Sequence, residues 1–342
     1  LRIGIDATYS VGDALSGVGV YSREILCGAA ASGLADEWEW FYRSQRYWRA
    51  RGMQVPKNVT RRFLADGWGN RSAKLFHGLN QRLPRRRFRA QIATFHDLFV
   101  MSGDYSTREF RERFSAQAKD AAAGADIVIA VSAFTGQQVQ DFLGFRASRI
   151  RVIHHGIVPR VIPDVARENI VLCVGAIQRR KNQAALVRAF RAMPAEWKLV
   201  LAGSSGYEAG ETMAEIERSP CASRIQVTGY VSEADLAVWY GRSGIFAFPS
   251  FDEGFGMPVL EAMAAGLPVI TSNRSAMPEV AGNAAMLVDP HSEEELAAAL
   301  AYLAVDRERR ERLGVAGRIH AAQFTWSRAV AATLGVYREV SG

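Results

Sequence analysis

Short runs rich in β-branched residues alternate with helix-period stretches along nearly the whole chain, and this alternation narrows the fold more than any other feature. Extended segments are expected over residues 2–6, 39–43, 59–64, 74–77, 91–95, 126–131 and 150–154, with helices over 18–32, 107–123 and 133–143. A second series follows: strands over 170–175, 198–202, 224–228, 245–248, 268–271 and 285–288, and helices over 182–193, 232–240, 258–265 and 292–303. Strand, helix, strand in repetition is the pattern of βαβ units and parallel sheets. Between the two series, residues 156–169 turn polar and carry Pro159 and Pro163, which reads as a linker between domains. The expectation is two doubly wound α/β domains facing each other, with a ligand outside the carboxyl ends of the strands. A last helix, over 326–339, lies past the natural end of the second domain and is placed to pack back on the first.

The length of 342 residues agrees with two cores of about 150 to 170 residues each. No apolar run reaches the roughly 18 residues needed for a membrane-crossing helix. The opening LRIGIDATYS reads as a buried strand and not as a signal peptide. Cys27, Cys173 and Cys221 are odd in number and far apart, so they form neither a disulfide framework nor a zinc pattern. They read as small buried hydrophobes in a reducing compartment. Charge is uneven: residues 1–160 hold 24 Lys/Arg against 14 Asp/Glu, and residues 161–342 hold 18 against 21. One half is therefore expected to meet something anionic.

Three stretches carry chemistry. In GVGVYSREIL (17–26), Gly17 and Gly19 stand where a helix should begin, and free N–H groups at such an end favour an anion. A tight turn would also explain them. The stretch is not a dinucleotide fingerprint, because the third glycine position is Ser22, and this argues against a nicotinamide-dependent dehydrogenase. In GAIQRRKN (175–182), Arg179, Arg180 and Lys181 precede a helix N-terminus that would repel them. A bound diphosphate would explain their presence, as would a solvated basic turn. In FPSFDEGFGMPVLEAMAAGLPVITS (248–272), Glu253 and Glu261 are separated by two glycines and Pro258, a residue suited to a first helical turn. Paired carboxylates there can accept the hydroxyls of a sugar and a ribose, or serve as an acid/base pair for hydrolysis.

The stretch EGFGMPVLEAMAAGLPVITS resembles the Glu-x7-Glu signature of glycosyltransferase family 4, the retaining GT-B enzymes. SGVGVYSREIL resembles that family's N-terminal glycine loop, while FHGLNQRLP (76–84) and TFHDL (94–98) resemble its mannosyltransferase-like branch. VSAFTGQQV (131–139), VGAIQRRKN, TGYVSEADLAVWY (228–240) and FTWSRAVAATLGVYREV (324–340) match in kind and order. The resemblance implies a GT-B fold: a Rossmann-like acceptor-side domain over 1–160 with helix 325–342 returning to it, and a Rossmann-like donor domain over 161–324. It implies a retaining, metal-independent hexosyl transfer from a nucleotide sugar, with GDP-mannose the first choice, to a lipid-linked or cell-surface glycan. Such an enzyme would be cytoplasmic and peripheral on the inner membrane face. Arg180 and Lys181 would hold the diphosphate, Glu261 the ribose, and Glu253 with the backbone of Gly254, Phe255, Gly256 and Met257 the transferred sugar. Gly17 and Gly19 would approach the phosphates, and Tyr230 and Val231 the base. His96 would approach the sugar or acceptor. Ala176 departs from relatives that place an arginine directly after the glycine, which shifts that charge to Arg180.

His96 and Asp97 also read as a base with its orienting carboxylate, or as a histidine that only packs a strand end. The absence of an Asp-x-Asp triplet argues against a diphosphate-bound metal, with Arg180 and Lys181 in its place. RLPRRRFR (82–89) places Arg85, Arg86, Arg87 and Arg89 beside Leu83, Phe88 and the nearby Asn80, a composition suited to an acceptor or an anionic membrane surface. No recognition motif accompanies this charge, so nucleic acid is not expected, and a solvated basic loop stays open. Other GT-B enzymes, such as an epimerase or a phosphorylase, and a non-catalytic two-lobed sugar-binding protein are the rival readings.

Overall fold

The computed structural model describes residues 2–12, 15–64, 73–85, 87–158 and 160–341. The chain divides into two compact units. One is assembled from Leu1–Ser102, Arg108–Gly156 and Thr325–Gly342, the other from Gly103–Thr107 and Ile157–Phe324.

In the first unit, β1 (Arg2–Asp6), β2 (Glu37–Tyr42), β3 (Val59–Phe63), β4 (Leu75–Gly78), β5 (Ala90–Phe95), β6 (Ile127–Ala130) and β7 (Ile150–Val152) form one sheet in the order β3-β2-β1-β4-β5-β6-β7. Every pairing in it is parallel. The second unit holds β8 (Ile170–Val174), β9 (Lys198–Ala202), β10 (Ile225–Gly229), β11 (Ile245–Phe248), β12 (Val269–Ser272) and β13 (Met286–Val288), ordered β10-β9-β8-β11-β12-β13 and again parallel. Both orders reverse direction beside their first strand, at β1/β4 and at β8/β11. Such switch points open a crevice at the carboxyl ends, where ligands bind in doubly wound sheets. The near-continuous apolar runs of β6, β8 and β11 are buried on both faces, as parallel strands require.

The last helix, Trp326–Ser341, packs on the helix Gly17–Ala31 of the first unit. Gly28 permits this approach, since a Cβ there would lie 2.5 Å from a methyl of Val330. Arg151 of β7 pairs with Glu339 at the helix's far end. Among the described residues no helix is long and apolar enough to cross a membrane. Cys173 and Cys221 are buried, but Cys27 is exposed on its helix, so only two of the three cysteines act as core hydrophobes.

Candidate functional site

The loops after β8 and β11 meet at the switch point of the second sheet. Gly175 follows β8 at φ +130°, and a Cβ on Gly203 would sit 2.0 Å from the Gly175 carbonyl oxygen, so two backbones touch where only glycine fits. Arg179–Lys181 then form one 3-10 turn. Asn182 ends it in the left-handed region (φ 58°) and opens the helix Gln183–Ala189. Its Nδ2 donates to the carbonyls of Pro249 (3.2 Å) and Pro290 (2.7 Å), tying this loop to the one after β11.

That tie brings Arg180 and Lys181 to Glu253. Lys181 Nζ lies 2.7 Å from Glu253 Oε1, and an Arg180 guanidinium nitrogen lies 3.0 Å from Oε2. Ser250 Oγ donates to Oε1 at 3.2 Å, and the Lys181 ammonium sits 4.6 Å from the centre of the Phe248 ring. The cations ahead of the helix, which in sequence called for an anion, therefore find one in the protein itself. Burial alone would push the Glu253 carboxyl up, but Arg180 and Lys181 overcome it and hold the group down at about 2. Glu253 is thus a permanent carboxylate at neutral pH, able to accept hydrogen bonds and unable to act as an acid.

Glu261 stands apart from this cluster. Gly256, at φ +89°, starts the helix Met257–Ala264 with Pro258 in its first turn, and Glu261 follows one turn inside. Its Oε2 accepts from Tyr240 Oη at 2.9 Å and its Oε1 from Arg160 at 3.0 Å. Burial raises its pKa, opposed by Arg160 and by the Tyr240 hydrogen bond. The sequence reading did not single out Arg160 or Tyr240. Gly254, Phe255 and Gly256 are buried, Met257 is half-buried, Val231 is half-buried, and Tyr230 is 70% exposed just after β10.

In the first unit the helix does begin at Gly17. Ser16 caps it, accepting from the Gly19 N–H at 3.4 Å. Gly19 has a packing reason as well, for a Cβ there would meet the Tyr9 carbonyl oxygen at 2.9 Å. His96 lies at the carboxyl end of β5, buried, with Nε2 2.8 Å from the Leu79 carbonyl oxygen and Nδ1 3.4 Å from His155 Nε2. A carbonyl only accepts, so Nε2 carries the proton. The ring is oriented by that carbonyl, and this corrects the expectation that the neighbouring Asp97 carboxylate would do so. Tyr21 packs edge-on against both imidazoles. Close by, His77 bridges Tyr337 Oη (2.7 Å) and Thr94 Oγ1 (2.8 Å), and Thr94 Oγ1 in turn meets Tyr21 Oη at 2.9 Å. Burial lowers His77 to about 3 and His96 to about 4, and it takes His155 well below its usual value.

The basic run is not the apolar-flanked surface expected of it. Phe88 is 4% exposed and packs with Phe41, Phe76 and Leu83 in a core cluster, and Asn80 is buried. Arg87 is paired with Asp126, while Arg85 and Arg89 are exposed. Arg86 lies outside the described residues. Among the described residues no group of three His, Cys, Asp or Glu side chains is arranged to hold a metal.

Comparison with known proteins agrees with this architecture. The family model described as "Glycosyl transferases group 1" matches residues 159–320, and that described as "Glycosyltransferase Family 4" matches residues 72–160. O-antigen chain mannosyltransferase B of Escherichia coli is 29% identical over 293 residues, covering 80% of this chain and 77% of that protein. The serotype-specific mannosyltransferase WbdA of the same species is 28% identical over 69% of this chain, which spans only 32% of its length. Among solved structures, sucrose-phosphate synthase from Thermosynechococcus elongatus superposes with a TM-score of 0.80 at 22% identity, covering 99% of this chain and 98% of that one. On these matches the chain is a glycosyltransferase of the GT-B fold, related to the mannosyltransferases, that moves a sugar from a nucleotide-sugar donor to an acceptor.

Proposed function

We propose that this enzyme is a family 4 retaining mannosyltransferase that uses GDP-mannose without a metal and extends a lipid-linked or cell-surface glycan. The observation that carries the reading is the buried triad of Arg180, Lys181 and Glu253 at the switch point, with one more cation than anion. Lysine and arginine have three and five N–H donors, more than one carboxylate can use. The combined positive charge of Arg180 and Lys181 holds the donor diphosphate and stabilises the charge that grows on it as the glycosidic bond breaks, which is electrostatic work otherwise given to a divalent ion. Glu253, fixed as a carboxylate, accepts hydroxyls of the transferred sugar beside the backbone of Gly254 to Met257. Glu261 accepts the ribose hydroxyls, and Tyr230 with Val231 flanks the base.

On the first unit, the helix start at Gly17 and Gly19 and the neutral His96 serve the phosphates and the acceptor. With Phe88 and Leu83 in the core, any attraction to an anionic lipid surface falls to Arg85 and Arg89, and the enzyme works at the cytoplasmic membrane face. The choice of mannose rests on the mannosyltransferases among the relatives.

The test is incubation with GDP-mannose, UDP-glucose and UDP-galactose, with mass spectrometry of products against lipid-linked glycan acceptors, in buffer containing a chelator. Mannosyl transfer from GDP-mannose with the anomeric configuration kept is the expected result. Transfer only from a uridine donor, or only after a divalent ion is added, would overturn it.

A further inference from the structure

Glu261 is held in a way that its own helix does not explain. Its two oxygens face two different elements: Tyr240, from the helix Glu233–Arg242, donates to one, and Arg160, from the segment ahead of β8, donates to the other. Arg160 also pairs with Glu233, and its guanidinium carbon lies 6.0 Å from the centre of the Tyr240 ring. The arginine side chain is 18% exposed and the Glu261 side chain 14%. One guanidinium thus links two carboxylates and an aromatic face, and it reaches Glu261 from 101 residues away in the chain. Among the described residues, the titratable and charged groups acting on Glu261 are Arg160, Tyr240 and Glu233, and of these Arg160 is the cation.

We propose that Arg160 is the positioning residue of the donor site, keeping Glu261 ionised and its carboxylate plane fixed so that the outward lone pairs accept the ribose hydroxyls. The inference rests on the assignment of Glu261 to the ribose. Its physical basis is that burial favours the neutral acid. Tyr240 can donate to either form, whereas only a cation favours the charged one by Coulomb attraction. A carboxylate offers about four lone-pair sites, enough for Tyr240, Arg160 and a ribose diol together, whereas a carboxylic acid turns one of its oxygens into a donor. Without Arg160 the remaining neighbour of like sign, Glu233, adds to burial in favouring the proton.

Calorimetric titration with GDP across pH 6 to 9, on the parent and on Arg160→Ala, Arg160→Lys and Glu261→Gln, tests this. The parent should bind with little pH dependence over that range. Arg160→Ala should bind weakly at the acid end and recover toward the alkaline end, losing about ten-fold for each unit by which the Glu261 pKa exceeds the pH. Arg160→Lys should restore a flat profile, and Glu261→Gln should be weak at every pH. A parallel loss for Arg160→Ala at all pH values, or no loss while Glu261→Gln is weak, would show a purely structural arginine and overturn the inference alone. Parental affinity in Glu261→Gln would remove the ribose assignment itself, and the inference with it.

Discussion

The two sheets share one topology, with the order reversing beside the first strand of each, yet the polar groups at their carboxyl ends solve burial in opposite ways. In the first unit His77, His96 and His155 are buried as neutral rings, His77 joined through Thr94 to Tyr21 and directly to Tyr337, and His96 joined to His155 and the Leu79 carbonyl, by hydrogen bonds that need no charge. In the second, Arg180, Lys181 and Glu253 are buried as ions, each held by an opposite charge. Neutral rings leave the unit sensitive to protons, since charging any of them requires desolvating a cation. The ion triad is insensitive near neutrality and depends on keeping all its members, because removing one leaves charge uncompensated.

Acid should separate the two units, and this is the largest effect expected. The histidines titrate near 6.5 when unfolded, and in the fold His77 and His96 titrate near 3 and 4. Their contribution is therefore intact above about pH 6.5 and falls as the unfolded chain takes up protons that the fold refuses, His77 and His96 each accounting for about a few kcal/mol by pH 4. Glu253 is depressed, so the stability it lends is present above the unfolded carboxylate value and is lost only as pH falls through about 2. Glu261, raised by burial, acts in the opposite direction from Glu253. Hydrogen exchange by mass spectrometry between pH 7 and pH 4.5 should show β4, β5 and the Trp326–Ser341 helix opening first. Earlier opening of β8 and β11 would break the comparison.

Lys181→Ala comes next. It leaves Glu253 with one cation and should lower stability by about 3 kcal/mol, read by denaturant unfolding, and it should abolish turnover with GDP-mannose. Gly256→Ala tests the backbone that separates the two glutamates. The residue sits at φ +89° and its new Cβ would come within 2.3 Å of Met277 Cε. A flexible side-chain end can yield and a left-handed backbone cannot, so a loss of about 1 to 2 kcal/mol is expected, with weaker GDP binding by calorimetry. The smallest effect belongs to Tyr337→Phe, which removes one hydrogen-bond partner of His77 and should lower the melting midpoint by an amount equivalent to about 1 kcal/mol. A larger loss there would mean that the neutral network is as cooperative as the charged one.

The sequence carried the strands well because apolar runs bounded by turn residues are a local signal. β9, β11 and the helix Ala133–Leu143 fall where their patterns end. The helix Arg307–Ala321 was missed, since its dense charges hide the few apolar positions that face the core. Helix Ala209–Arg218 was missed as well. In the site, Glu253, Glu261, Arg180 and Lys181 were legible from spacing, but the pairing of the cations with Glu253 required the Asn182 tie between two loops. Arg160 had no local signal, being a single arginine in a proline-bearing stretch. His77 and His155 acquire meaning only once β4, β5, β6 and β7 are aligned in one sheet. Phe88 misled for a related reason: beside arginines it resembles a membrane-facing residue, and only the turn into β5 tucks it inward.

The first unit is discontinuous, with the helix Trp326–Ser341 separated from the rest of its fold by Ile157–Phe324 of the second unit. During synthesis the ribosome therefore completes the second unit before the first receives its closing helix. Until then the face of the Gly17–Ala31 helix that this helix covers lies open, and His77 lacks its Tyr337 partner. The second unit, by contrast, has all its residues as soon as Phe324 emerges. The fold that the chain begins first is thus the one it finishes last.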